Sequence, residues 1–220
     1  MEKINAVITG IGGYVPSYIL NNEELSRMVD TNDEWITTRV GIKERRILTE
    51  EGLGSGYLAR KAAKQLVRKT GVDVNTIDCV IVATTTPDYR FPSDASIVIG
   101  KLGMKNAHGF DVSCACCGFL YTVDMASAFI QSGRYKKVMV IAAEKMSSMV
   151  DYQDRQTCVL FGDGAAAVLM EASTEEGVGF QDSFLRGGGQ GLPFLHMKAG
   201  GSVCPASHYT VDHRMHYIYQ

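Results

Sequence analysis

The chain has 220 residues, of which 45% are hydrophobic and 21% are charged, and its formal net charge is -2 at pH 7. This composition is typical of a globular protein with a sizeable core, arranged as one large domain or two small ones. The near-neutral charge, without a Lys/Arg run interleaved with aromatic residues, argues against nucleic acid or an anionic membrane as partner.

Apolar residues follow the patterns of alternating strands and helices. Short runs rich in Val and Ile, typical of strands covered on both faces, lie at Ile4–Ile8, Cys79–Ala83 and Val138–Ala143. Apolar residues at helical spacing predict a helix over Tyr57–Thr70 that stops at Gly71. This alternation predicts an α/β layered domain.

Glycine-rich segments mark three further places in the chain. Gly10–Gly13 follows the first strand, but Pro16 comes too soon for a helix to begin where a dinucleotide would need its N-terminus, so a glycine turn is predicted. Cys158–Glu171 is predicted as a strand interrupted by Gly162–Gly164. From Arg186 onward, glycines and little periodicity predict an extended loop region.

Between the second and third strands, a predicted strand that begins at Gly109 ends in small residues and cysteines and is followed by a helix that ends near Ser132-Gly133. The helix is predicted to carry on one face Leu120, Val123, Ser127 and Ile130. A thiol at the start of such a helix meets free backbone N–H groups and the positive end of the helix dipole, which favour the thiolate. The pattern therefore indicates acyl transfer through a thioester.

The spacing alone leaves open which cysteine would react. Cys114 and Cys116 share strand parity, whereas Cys116 and Cys117 open the helix and alone gain from its dipole. The alternative is structural, since small cysteines pack well in tight strand–helix junctions.

The six cysteines are spread along the chain without the density of a secreted disulfide scaffold, so no structural disulfide is expected. Cys114-x-Cys116-Cys117 lacks the second pair of ligands typical of a zinc site. Cys204 with His208, His213 and His216 has only loose metal-like spacing, and no metal site is predicted. With no leader pattern at Met1–Asn5 and no segment long enough to span a bilayer, we expect a cytoplasmic protein.

The single tryptophan, Trp35, lies four positions before Arg39, so one helical turn places both side chains on one face. An indole beside a guanidinium can stack an adenine and pair with a phosphate, as coenzyme A requires. The alternative is an ordinary amphipathic surface turn.

Four ordered blocks resemble the β-ketoacyl-ACP synthase III family, whose members start type II fatty acid synthesis. The nucleophile block is Phe110-Asp111-Val112-x-x-x-Cys116-x-Gly118-Phe119. The others are Val29–Ile42, Val82–Thr86 leading to Phe91-Pro92-Ser93, and Asp154-Arg155 leading to Phe161–Ala165. Together they span most of residues 4–170. Cys117 departs from the family, which usually has a small alanine-like residue there.

The resemblance implies a role for individual residues. It implies that Cys116 is the residue acylated in catalysis. Coenzyme A would be bound by Trp35, Arg39 and Arg155, with Thr31 close by, although Gln156 replaces a smaller residue. Phe91 would cross a dimer interface and close the partner's acyl pocket, and Phe161 would form a pocket wall.

The resemblance also implies the fold and the reaction. The fold would be the thiolase-like αβαβα layered fold, with residues 1–172 as its first half and 173–220 as a strand and Gly-rich loop leading into the second half. The reaction would condense a short acyl-coenzyme A with malonyl-ACP, without a separate cofactor, in a homodimer. Alternatives are a related acyltransferase or ketide synthase with another primer, and a non-catalytic dimerisation or binding module. Primer length and branching stay open.

In the family, a His and an Asn from the second half help the cysteine. The five histidines of this chain lie outside any matching motif, and none is assigned a catalytic role: His108, His196, His208, His213 and His216. We therefore expect a truncated chain that shows no condensation by itself and exposes a broad apolar face.

Overall fold

The computed structural model describes residues 4–220, which divide into two compact units. Unit 1 contains residues up to 16, 49–144 and 164–185, and unit 2 contains residues 17–48, 145–163 and 186–220. Because each unit is assembled from three separate segments, no single point of the chain separates them. The boundary expected at residue 172 concerns the halves of a larger fold and stays a prediction.

Unit 1 is built on a five-stranded mixed sheet. Its strands are β1 (Asn5–Tyr14), β4 (Cys79–Ala83), β5 (His108–Val112), β6 (Lys137–Lys145) and β7 (Asp163–Ser173). They lie in the order β1-β7-β6-β4-β5, with β4 parallel to β5 and β6 and β1 antiparallel to β7. The helices are α3 (Ser55–Thr70), α4 (Asp94–Leu102) and α5 (Gly118–Gln131). The predicted α/β architecture is confirmed.

The sheet is covered on both faces because β4 is apolar at every position and β6 is apolar over Val138–Ala143. In β4, Val80 and Val82 pack in the core under α3 and α4, whereas Cys79 and Ile81 pack in the core under α5. β6 and β7 alternate between the same two cores. Full burial of each aliphatic side chain stabilises the fold by roughly 1.5–3 kcal/mol, so this unit depends on its double-sided sheet.

The glycines at Gly10–Gly13 lie within β1 and not in the predicted turn. A Cβ atom on Gly12 would lie 2.4 Å from the Ala62 carbonyl oxygen and 2.6 Å from the Leu66 nitrogen of α3. The glycine therefore allows α3 to pack directly on the strand backbone, a contact that the local sequence does not reveal.

Unit 2 contains an antiparallel pair, β2 (Tyr18–Asn21) and β3 (Glu44–Ile47), and the helices α1 (Asn22–Leu25) and α2 (Asp33–Val40). Its later segments add α6 (His208–Asp212) and the two-residue antiparallel strands β8 (His196–Met197) and β9 (Ile218–Tyr219). Its core includes Leu20, Leu25, Ile36, Val150, Val159 and Ile218. The extended loop region predicted from Arg186 onward is therefore wrong after residue 195. Periodicity does not reveal such short elements, and α6 begins with a capping box between Ser207 and Thr210.

Two other predictions were wrong in detail. Cys158 is buried, but it lies in a turn segment, and the strand begins only at Asp163. The Asp163 carboxylate accepts hydrogen bonds from the Leu48 and Ser147 backbone N–H groups, each at 2.8 Å, which fixes where the strand starts. In α5, Val123, Ser127 and Ile130 are buried as predicted, but Leu120 is 60% exposed.

Within residues 4–220, no helix combines the length and the apolar character needed to cross a membrane.

The half-buried Asp111 carboxylate and the buried Asp94 carboxylate hold the first turn of α4 in place. The Asp111 carboxylate on β5 accepts hydrogen bonds from the backbone N–H groups of Asp94 (2.7 Å) and Ala95 (2.9 Å). The fully buried Asp94 carboxylate accepts hydrogen bonds from the Ser55 hydroxyl (2.7 Å) and the Asp88 backbone N–H (3.1 Å). Burial, followed by repulsion from Asp88 and Asp111, raises the pKa of Asp94 to about 6.

The raised pKa of Asp94 makes the stability of the fold depend on pH. Its protonated form is favoured in the folded state, so this contribution is complete below the ordinary pKa of 3.8 and is lost as pH rises through about 6. The change corresponds to roughly 3 kcal/mol. We expect Asp94→Asn to become more stable relative to the wild type as pH rises from 4 to 7, measured by urea unfolding.

Asp182→Asn, which changes an exposed carboxylate of the same unit, is the control and should show no such trend. A stability difference between Asp94→Asn and the wild type that stays constant across this pH range would contradict the role of Asp94.

Candidate active site

The strand–turn–helix predicted around the cysteines is present in unit 1. β5 ends at Val112, a single 3-10 turn spans Ala115–Cys117, and α5 begins at Gly118. The Cys117 N–H donates to the Cys114 carbonyl at 3.2 Å, which closes this turn. Cys116 and Cys117 are exposed and Cys114 is half-buried. Cys116 therefore presents an accessible thiol just before the start of a 14-residue helix.

The backbone of this turn is strained at one residue. Ala115 has a φ of 47°, in the left-handed region that residues with a Cβ atom rarely adopt, at a cost of about 1–3 kcal/mol. A Cβ atom on Gly118, the first residue of α5, would lie 3.0 Å from the Ala83 Cβ, so the first turn of α5 packs closely on β4. Cys116 therefore lies between a strained residue and a closely packed helix start.

Two other cysteines are unsuited to act as nucleophiles. Burial raises the pKa of Cys79 to about 11, and Asp78 adds to the effect. Burial likewise raises the pKa of Cys158 to about 11, with a further contribution from Asp154. Because the thiolate is the reactive form, both thiols are inert near neutral pH.

The carboxyl ends of the parallel strands β4, β5 and β6 meet at one edge of the sheet, where open α/β sheets bind ligands. Cys116 lies on the connection after β5. Phe91, on the connection after β4, is 85% exposed. The Glu144 carboxylate on β6 accepts hydrogen bonds from the Thr85 N–H (2.7 Å) and the Thr86 hydroxyl (2.7 Å).

Sequence analysis did not single out Glu144. The available signal was an acidic residue directly after the apolar run Val138–Ala143, because such a residue comes to lie at the carboxyl end of a parallel strand. Its hydrogen bonds hold the connection that leads toward Phe91, so Glu144 supports this edge of the sheet.

In unit 2 the structure brings together Trp35, Arg39 and Arg155. The Arg39 guanidinium carbon lies 4.4 Å from the Trp35 ring centroid, and that of Arg155 lies 5.2 Å from it. Trp35 is half-buried against the core, whereas both arginines are exposed. The cluster thus presents an aromatic plane and two cations on the surface. Trp35 and Arg39 lie on one face of α2, as their spacing predicted, whereas no local spacing indicated the contact with Arg155.

Thr31 and Asp30 adjoin this cluster. Arg155 donates to the Asp30 carbonyl at 3.2 Å, and its guanidinium lies 3.6 Å from the Asp30 carboxylate. The Thr31 hydroxyl oxygen is buried and has no hydrogen-bond partner in the described structure. An unsatisfied buried hydroxyl costs about 1–3 kcal/mol, so it favours a bound group that can pair with it.

The helix that carries Trp35 is held in place by polar contacts, of which those made by Arg45 are buried. The Asn32 side chain caps α2 by accepting from the Trp35 N–H at 2.8 Å. The Asn22 side chain donates to the Asp33 carboxylate at 2.7 Å and itself accepts from the Arg45 guanidinium. Arg45 is only 4% exposed and also donates to the Val159 carbonyl at 3.0 and 2.6 Å.

The remaining candidate residues lie elsewhere. Phe161 is half-buried and packs against the core of unit 2. His213 donates to the Tyr209 carbonyl and His216 shares a hydrogen bond with the Thr210 hydroxyl, both at 2.8 Å. In residues 4–220, no three His, Cys, Asp or Glu side chains are placed to hold a metal ion. Cys116 and Phe91 thus belong to unit 1, and the other predicted site residues belong to unit 2.

The sequence comparisons point to one family. A family model described as 3-oxoacyl-[acyl-carrier-protein (ACP)] synthase III matches residues 110–189, the segment that carries Cys116. The β-ketoacyl-[acyl-carrier-protein] synthase III of Phocaeicola vulgatus is 69% identical over 220 residues, and that of Porphyromonas gingivalis is 54% identical over 220 residues. Both matches cover 100% of this chain, which spans 66% and 65% of the two relatives, just under two thirds.

Solved structures agree. The 3-oxoacyl-[acyl-carrier-protein] synthase III of Aquifex aeolicus is 50% identical with a TM-score of 0.75, and the match covers 78% of this chain and 55% of that one. The priming β-ketosynthase of the R1128 polyketide pathway is 32% identical with a TM-score of 0.84, covering 99% and 63%. The predicted thiolase-like fold is thereby confirmed. The chain belongs to the β-ketoacyl-[acyl-carrier-protein] synthase III family.

Proposed function

We propose that this protein provides the acyl-accepting thiol of a β-ketoacyl-[acyl-carrier-protein] synthase III, which starts fatty acid synthesis from a short acyl-coenzyme A and malonyl-ACP. The observation that carries the proposal is the exposed Cys116 on a strained turn at the start of α5. The proposed reaction is the one named for two relatives that are 69% and 54% identical to this chain. The six unpaired thiols support a reducing compartment, such as the cytoplasm.

The proposed reaction has two stages. In the first, the Cys116 sulfur attacks the thioester carbonyl carbon of acyl-coenzyme A, the bond to the coenzyme A sulfur breaks, and coenzyme A leaves as the thiol. In the second, malonyl-ACP loses carbon dioxide, and the resulting carbanion attacks the acyl group on Cys116. The sulfur–carbon bond then breaks, which releases 3-oxoacyl-ACP and restores the thiol. Coenzyme A acts here as part of the substrate.

The Trp35–Arg39–Arg155 cluster is proposed to bind the nucleotide part of coenzyme A. An indole offers a stacking surface for adenine, and guanidinium groups form charge-assisted hydrogen bonds to phosphate. Adenine stacking on Trp35 requires a guanidinium group to move, because those of Arg39 and Arg155 lie over the ring at 4.4 and 5.2 Å from its centroid. The unpaired Thr31 hydroxyl supports a further contact to the same ligand.

We further propose that the protein is a homodimer in which Phe91 reaches the acyl pocket of the partner. The Phe91 side chain is 85% exposed, so it is accessible to a second chain. In addition, β5 lies at the edge of its sheet, and Phe110 and Val112 on it are only half-buried. An open edge of this kind favours pairing with another chain.

A polyketide-priming ketosynthase is a second candidate, because the R1128 enzyme aligns with 99% of this chain at a TM-score of 0.84. Both candidates use the same cysteine chemistry and differ in the acyl group accepted. Comparing acetyl-coenzyme A with longer and branched acyl-coenzyme A donors distinguishes them.

Incubation with acetyl-coenzyme A should add one acetyl group to the chain at Cys116. We expect this adduct because Cys116 is the accessible thiol at the helix start, and intact mass followed by peptide mapping would detect it. Cys116→Ala should abolish the adduct, and the control Cys204→Ala should retain it. Acetylation that persists in Cys116→Ala would contradict the assignment.

Arg39→Ala and Arg155→Ala should each weaken coenzyme A binding about tenfold or more. The expectation rests on a charge-assisted hydrogen bond to phosphate, which contributes roughly 1.5–3 kcal/mol. Calorimetric titration of the chain with coenzyme A measures the effect. Arg27→Ala is the matched control, since Arg27 lies in the same unit and pairs with Glu23 on the surface.

Neither arginine substitution should slow alkylation of Cys116. Unchanged affinity for coenzyme A in both arginine variants would contradict the proposed binding surface. Loss of thiol reactivity would instead indicate that the arginines act on the environment of the nucleophile.

A further inference from the structure

Two additional cysteines flank the turn that carries Cys116. Cys114 and Cys117 have the spacing Cys-x-x-Cys, with Cys114 at the start of the 3-10 turn and Cys117 as the residue before α5. Both are unpaired, Cys117 is exposed, and Cys114 is half-buried. The proposed acyl transfer uses neither of them, although both are close enough to the nucleophile to affect its turn.

The backbone geometry suits a bond between these two residues. The hydrogen bond from the Cys117 N–H to the Cys114 carbonyl, at 3.2 Å, closes a four-residue turn. Such turns bring their end Cα atoms within about 7 Å, and disulfides span about 4.4–6.8 Å between Cα atoms. The left-handed φ of 47° at Ala115 reverses the chain within this turn.

A disulfide between Cys116 and Cys117 is less favourable. Cys116 and Cys117 are adjacent, and adjacent Cα atoms are about 3.8 Å apart, below the range that disulfides ordinarily span. Metal binding by the three thiols is also disfavoured, because no group of three ligands in residues 4–220 is placed to hold an ion. The Cys114–Cys117 pair is closed by a backbone hydrogen bond and leaves the proposed nucleophile Cys116 free, so it is the dithiol that the geometry favours.

We propose that Cys114 and Cys117 form a reversible disulfide in the presence of a peroxide, so that the turn around Cys116 has a reduced and an oxidised state. One thiolate attacks hydrogen peroxide, the O–O bond breaks, and a sulfenic acid forms with release of hydroxide. The second thiol attacks the sulfenic sulfur, the S–S bond forms, and the S–O bond breaks to release water. An external dithiol reverses the reaction by thiol–disulfide exchange.

The test counts the thiols released by reduction and does not depend on acyl transfer. The disulfide can therefore be absent while the proposed function holds, and it can form while the proposed function fails. The chain is treated with hydrogen peroxide at low protein concentration, quenched, unfolded and blocked with iodoacetamide. It is then reduced with dithiothreitol, labelled with N-ethylmaleimide and weighed by mass spectrometry. Because Cys116 could itself be oxidised, the variants are compared in a Cys116→Ser background.

Cys116→Ser should take up two maleimide groups after oxidation and none without it. Adding Cys114→Ser or Cys117→Ser should abolish the labelling, and non-reducing electrophoresis should show a monomer without an intermolecular disulfide. The proposal is overturned if Cys116→Ser takes up no label, if either double variant still takes up two groups, or if the label comes from a covalent dimer. If the wild type took up label and Cys116→Ser did not, Cys116 would be one of the two bonded residues, and the proposal would likewise be overturned.

Discussion

The double-sided burial of the mixed sheet is the constraint on which the rest of unit 1 depends. Because β4 and β6 are apolar at nearly every position, α3 and α4 cover one face and α5 covers the other. Parallel pairing then places the carboxyl ends of β4, β5 and β6 at one edge. Cys116 follows β5 on the short turn before α5 and is exposed there.

Unit 2 is organised differently, around a buried cation. Arg45 is paired with neutral oxygen atoms of Asn22 and Val159, and desolvation lowers its pKa. Loss of these hydrogen bonds would leave a buried charge unsatisfied, so the arrangement links β3, the Val159 turn and the start of α2. The surface position of Trp35 beside two guanidinium groups depends on this buried support.

The elements predicted correctly from the sequence are those whose bounds depend on residues near one another in the chain. The bounds of β4 match the apolar run Cys79–Ala83, and α3 ends at Gly71 because a left-handed C-cap requires glycine. Predictions failed where distant contacts decide: Gly12 is in a strand because α3 packs on it, and Leu120 is exposed because α5 has more apolar residues than its buried face holds. The roles of the site residues rest on family resemblance and stay predictions.

Competitive alkylation measures directly how accessible and reactive the Cys116 thiol is in the folded chain. The folded chain is treated with limiting iodoacetamide near neutral pH, and the rate at each cysteine is read by peptide mass spectrometry. We predict that Cys116 is labelled rapidly while Cys79 and Cys158, both buried and with pKa raised to about 11, stay unlabelled until the chain unfolds. Equal labelling of Cys116 and these two buried thiols in the folded chain would contradict it.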